Sequence, residues 1–269
     1  GTQGEVEETV ADPYMGFNRG STKLRQQWDR SVIRHIFESP LVRLMKDHDY
    51  SDAYANGTEL TGSDSISWRT VWIYRYYEEV SRELGRGERP EMEQYAEGLG
   101  SFLRDIRDRI CGDSPRARDA FRVYLVAHSM GGLAIRAYLV ESHIPNRGRV
   151  VLIGSPNSGT PIVDDYQDTW WMGLAGPAAN ALGTGPESFP NMLPEPDYPV
   201  GVIAGFWVGP FGLDFIPEAD DGLVPVESTK VPGMADFVAI DVSHSFMRYD
   251  DDVAKQTIAF LRDGHFIHE

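Results

Sequence analysis

The stretch Arg122–Val140, RVYLVAHSMGGLAIRAYLV, decides how the rest of the chain is read. Val123, Leu125 and Val126 form an apolar, partly β-branched run of strand length, and Leu133, Ala134, Ala137, Tyr138 and Val140 recur at helical spacing. Ser129 stands at the junction, so a strand must turn sharply into a helix at that serine. Gly131 and Gly132 have no side chain to hold the new helix away from the strand, and Ala127 is nearly as small. A serine held in such a turn exposes its hydroxyl. The Met130 N–H, at the positive end of the helix, is expected to face whatever that hydroxyl attacks.

The run A-H-S-M-G-G, Ala127–Gly132, resembles the nucleophile elbow of the α/β-hydrolase family in its lipase and esterase branch, with Ala127 where G-x-S-x-G has its first glycine. Further stretches extend the resemblance. Trp68–Tyr77, WRTVWIYRYY, is similar to a lipase core strand. Gly154–Pro161, GSPNSGTP, resembles a turn of bacterial lipases, in which two prolines and Gly159 end a strand. Pro199–Trp207, PVGVIAGFW, resembles a strand of lipases related to enzymes that deacylate membrane-anchor lipids, and Asp221-Gly-Leu-Val resembles the segment that supplies the acid. The likeness spans about Trp68 to Leu261.

The resemblance implies an α/β-hydrolase fold: a mostly parallel central sheet, helices on both faces and a small cap or lid inserted at about 157–198, all within a single domain over 1–269. It also implies site residues in the order nucleophile, acid, histidine. Ser129 is expected as nucleophile, Asp221, in preference to Asp220, as acid, and His244 as base; each follows an expected strand. Met130 is the expected first oxyanion donor. The usual His-Gly or Pro-Gly loop is missing near the N-terminus, and Met15-Gly16-Phe17 is the nearest substitute, with Phe17 as second donor. Trp170, Trp171, Met172 and Leu174 would form a lid or acyl-binding wall. No cofactor or metal is implied: the acid runs Asp164-Asp165 and Asp250–Asp252 lack calcium-loop spacing and read as a solvated turn and a helix cap.

Composition narrows the partners. A balance of 25 basic against 41 acidic residues, formally −16, repels nucleic acid and anionic headgroups. The expected partner is a small-molecule or lipid ester, with at most transient contact at an interface. The single cysteine, Cys111, excludes an internal disulfide. No apolar run reaches the ~18 residues of a membrane span, and no signal-peptide pattern opens the chain, so a soluble protein is expected.

The remaining elements follow from periodicity. A helix is expected from Ser21, with Trp28, Val32, Ile33, Ile36 and Phe37 on one face, and a second short one over Leu41–Met45 after Pro40. Pro90–Ile110 reads as an amphipathic helix; Arg149–Ile153, Pro199–Trp207 and Ala235–Val242 read as strands, and Val253–Leu261 as the final helix. Three functions fit these signals. They are an ester hydrolase acting through an acyl-enzyme on Ser129, a lipid acyltransferase using the same three residues, and a non-catalytic binding protein on the hydrolase fold.

Overall fold

The computed structural model describes residues 20–26, 32–38, 40–52, 54–55, 58–59, 66–74, 92–141, 147–166, 181–207 and 218–268. The first described elements are an antiparallel hairpin, β1 (Gly20–Gln26) and β2 (Val32–Glu38), followed by helix α1 (Pro40–Asp47). Helices α2 (Met92–Cys111) and α3 (Pro115–Ala120) lead to β3 (Leu125–His128) and α4 (Met130–Glu141). Then come β4 (Val150–Ile153), α5 (Pro161–Tyr166), α6 (Phe189–Met192), β5 (Val200–Phe206), α7 (Val226–Thr229), β6 (Asp236–Asp241) and α8 (Asp251–Asp263).

Strands β3 to β6 form one parallel sheet in chain order, with Val126 opposite Val151, Val151 opposite Gly201 and Gly201 opposite Asp236. A parallel sheet is stable when both faces are covered, and β4 shows how one sequence serves two layers. Val150 and Leu152 point to one face, where they pack with Tyr95, Leu99 and Leu103 of α2 and Leu133 and Ala137 of α4. Val151 and Ile153 point to the other, against Val253 and Phe260 of α8 and against Met247. The helical layers are equally legible. Tyr95, Leu99, Leu103 and Ile106 form the buried stripe of α2, Cys111 is a buried packing residue at its end, and Asp250 caps α8 by accepting from the Asp252 and Val253 N–H groups at 3.0 and 3.1 Å.

Two expectations fail. The described residues of the helix expected from Ser21 are instead the antiparallel strands β1 and β2, in which Gly20 pairs with Glu38 and Gln26 with Val32, while Trp28 lies outside the described residues. Short apolar runs fit either period, and the β-branched residues Thr22, Val32, Ile33 and Ile36 favour extended backbone once a partner strand lies nearby. The described part of Trp68–Tyr77, residues 68–74, adds no strand to the main sheet. Within it only Thr70–Val71 forms a strand, paired with Ser51–Asp52 outside the main sheet, and Trp68 is 76% exposed. Trp72 and Tyr74 instead lie against Phe102 of α2, ring centroids 6.4 and 5.3 Å away, and the Tyr74 hydroxyl donates to the Tyr95 carbonyl at 3.1 Å. The aromatic run therefore packs on a helix. Residues 75–77 lie outside the described set.

No helix among the described residues is long and apolar enough to cross a membrane. The described ends of the expected cap are anchored to the elbow side of the sheet, through buried Val163, Leu182, Phe189 and Tyr198. Phe260, fully buried and 5.0 Å from the Phe266 ring, joins α8 to the opposite face. Phe260→Ala is expected to lower unfolding stability by about 3–5 kcal/mol, read as a lower urea midpoint at unchanged m-value.

Candidate functional site

Strand β3 ends at His128, and the next residue departs from the strand. Ser129 has φ of 57°, the left-handed region that a non-glycine residue rarely occupies. Its N–H donates to the Ile153 carbonyl at 2.8 Å and its own carbonyl accepts from Gly132 at 3.0 Å, which ties the turn to β4 on one side and to α4 on the other. Gly132 is required for that approach. A Cβ there would lie 2.8 Å from Ser155 Cβ and 3.2 Å from Leu152 Cδ2. The backbone is thus bent so that the Ser129 hydroxyl stands clear of both elements.

The hydroxyl meets an imidazole. His244 Nε2 lies 2.9 Å from Ser129 Oγ, and His244 Nδ1 lies 2.7 Å from Asp221 Oδ2. The sheet brings together residues 115 and 23 positions apart, because β3, β5 and β6 all end at the same edge. Asp221 is 1% exposed and His244 7%. The acid's second oxygen, Oδ1, accepts from the Leu223 and Val224 N–H groups at 3.0 and 2.8 Å, so the carboxylate is held by backbone on one side and by the imidazole on the other. The choice between the two neighbouring acids is plain. Asp220 Oδ1 accepts from the Gly222 N–H at 2.6 Å within its own turn, while Asp221 faces His244.

Neither a family model nor a curated protein matches the sequence. Among solved structures, the lipase BlEst2 of Bacillus licheniformis in its propeptide form superposes with a TM-score of 0.53 at 20% identity, over 66% of this chain and 42% of that one. The chain has an α/β-hydrolase fold. It spans less than half the length of that lipase, and the likeness concerns the fold. Phospholipase PlaB from Legionella pneumophila aligns with a TM-score of 0.48 at 15% identity, over 68% of this chain and 51% of that one.

Several residues shape this site without having been singled out in the sequence for it. Gly154, at the end of β4, and Gly205, in β5, flank the acid. A Cβ on Gly154 would sit 3.2 Å from Asp221 Oδ2 and 2.8 Å from Met247 Sδ; one on Gly205 would sit 2.7 Å from Asp221 Cβ and 2.5 Å from the Val242 carbonyl. Met247 is fully buried between them. In the sequence Gly154 opens a turn and Gly205 lies within an apolar strand, and neither position carries a sign that it faces a carboxylate.

Arg136 is the other omission. It is 5% exposed on α4, and it donates to Asn157 O and Oδ1 at 3.3 and 3.2 Å and to the Leu193 and Pro194 carbonyls at 3.2 and 3.3 Å. Burial lowers its pKa from the ordinary arginine value, and burial likewise pushes the Tyr198 phenol up to about 12. Asn157 passes the connection on, its Nδ2 donating to the Thr229 carbonyl at 2.7 Å at the end of α7. A buried guanidinium thereby ties the helix behind Ser129 to the segment that follows Asp221. A lone arginine among apolar residues in G-G-L-A-I-R-A-Y-L-V was the available signal.

The other expected residues divide by location. Met130 is buried at the first position of α4. Phe17, Trp170, Trp171, Met172 and Leu174 lie outside the described residues. Asp164 is engaged structurally, accepting from the Thr184 N–H at 2.9 Å and from its hydroxyl at 2.5 Å, and no group of His, Cys, Asp and Glu among the described residues could hold a metal ion. Gly205→Ala, which must displace either the Val242 backbone or Asp221, is expected to cost on the order of 1–3 kcal/mol of stability by urea denaturation.

Proposed function

We propose that this protein is a serine hydrolase of carboxylic esters, with Ser129 as nucleophile, His244 as general base and Asp221 as the group that orients it. The observation that carries the reading is the continuous line from Ser129 Oγ to His244 Nε2 at 2.9 Å and from His244 Nδ1 to Asp221 Oδ2 at 2.7 Å, beginning at a serine in a strained turn. The α/β-hydrolase fold supports it.

The chemistry follows from the arrangement. The neutral imidazole carries its proton on Nδ1, because the carboxylate there can only accept, and this leaves the Nε2 lone pair facing the hydroxyl. As Ser129 Oγ attacks an ester carbonyl, its proton passes to His244 Nε2, and the imidazolium is stabilised by Asp221. The Met130 N–H, at the positive end of α4, is one donor to the tetrahedral oxyanion, and Phe17 is our candidate for the second. Collapse returns the proton to the leaving alcohol and leaves an acyl-enzyme on Ser129. Water activated by the same imidazole then releases the acid, so the cycle needs no cofactor. The apolar candidates Trp170, Trp171, Met172 and Leu174 are proposed as the wall that receives the acyl chain, which makes a small-molecule or lipid ester the substrate.

The test is release of p-nitrophenol from short-chain and long-chain esters. Wild-type turnover is expected to fall by at least about 10⁴-fold in Ser129→Ala with the fold retained. Asp221→Asn is expected to lose on the order of 10⁴-fold in kcat, because an amide at that position no longer enforces the useful tautomer. Turnover that survives Ser129→Ala would sink the assignment of the nucleophile. Product appearing only when an alcohol acceptor is supplied would make the protein an acyltransferase.

A further inference from the structure

His128, the residue immediately before the serine, has no role in the steps above, yet it touches the base. Its Nε2 lies 2.9 Å from the His244 carbonyl oxygen, and the two imidazole rings stand 4.6 Å apart, centroid to centroid, at 47°. A carbonyl only accepts, so His128 donates through Nε2–H.

The position of His244 makes that hydrogen bond consequential. His244 lies beyond the last residue of β6, Asp241, and takes no part in the strand ladder. Its main chain is held at both ends instead: the N–H donates to the Asp221 carbonyl at 2.8 Å, and the C=O accepts from His128. One bond ties the base to the acid segment, and the other ties it to the strand that ends in the nucleophile. Because His128 and Ser129 are consecutive, the strand end that sets the hydroxyl also sets the backbone carrying the imidazole.

We propose that His128 is a positioning residue that fixes His244 relative to Ser129, an inference that rests on the reading of these two as base and nucleophile. A histidine suits the task because it is a neutral donor. The protein packed around its ring, chiefly, and repulsion from His244 whenever that ring is protonated hold its pKa well below the usual histidine value, although the residue keeps partial contact with solvent. A neutral ring can donate to the His244 carbonyl without opposing the positive charge that His244 acquires during turnover; a lysine or arginine would oppose it.

The experiment compares His128→Gln, which keeps a neutral donor, with His128→Met, which has similar length and none. Two readouts are taken: kcat and KM on a p-nitrophenyl ester, and the downfield proton resonance of His244 Nδ1–H in its bond to Asp221. The Met variant is expected to lose about 100-fold in kcat, as a misplaced reacting group does, with KM changed by no more than about twofold, and to broaden or lose the resonance. The Gln variant is expected to recover most of kcat and to keep the resonance. Wild-type values in the Met variant, or equal losses in both variants, would overturn the proposal. A wild type that turns over no ester would end the hydrolase reading alone, since the resonance still decides whether His128 holds the His244 ring. Should the Met variant not fold, nitrogen-15 histidine spectra of the wild type decide: an Nε2–H tautomer at His128 with a slowly exchanging proton supports the proposal, and an Nδ1–H tautomer overturns it.

Discussion

Ser129 occupies left-handed backbone, a conformation that costs a side-chain-bearing residue on the order of 1–3 kcal/mol and persists only where the surroundings over-determine it. Here the surroundings do so from two directions. The Ile153 carbonyl of the neighbouring strand takes the serine N–H, and α4 closes over Gly132 at a distance that any side chain would prevent. The strain and the close packing are one constraint.

The same demand for close approach recurs around the acid. Asp221 is an almost fully buried carboxylate, and such a group is tolerated only when its oxygens are paired. Two backbone N–H groups satisfy one oxygen and His244 the other, while Gly154 and Gly205 give the carboxylate room at the ends of β4 and β5. The strands thus supply a floor of backbone and small residues, and the loops above supply the polar groups. Arg136 and Asn157 extend this polar framework to the back of α4, and His128 extends it to the main chain of His244.

Much of this was legible in the sequence, and the reason is local. The elbow announces itself because strand, serine, glycines and helix are contiguous, so each residue's role depends on neighbours a few positions away. The amphipathic stripe of α2 and the Asp250 cap of α8 are legible for the same reason. The errors arise where a pattern was correct but its partner was distant or mistaken. The apolar residues between Ser21 and Phe37 fit a helical face, yet their backbone pairs in a hairpin; the aromatics of Trp68–Tyr77 suggest a sheet core, yet Trp72 and Tyr74 rest on α2.

The sequence by itself determined the turn at Ser129, the apolar strands Val150–Ile153 and Val200–Phe206 and the presence of an acid and a histidine in order behind it, because periodicity, turn chemistry and motif spacing act over short stretches. Only the tertiary structure decided that the Asp221 carboxylate meets His244 Nδ1, that Gly154 and Gly205 are spaces for a carboxylate, and that the His128 ring reaches the His244 carbonyl. Those facts depend on distances of about 3 Å between residues separated by tens of positions or more. Such distances are set by how the sheet stacks its strand ends, and no local pattern encodes them.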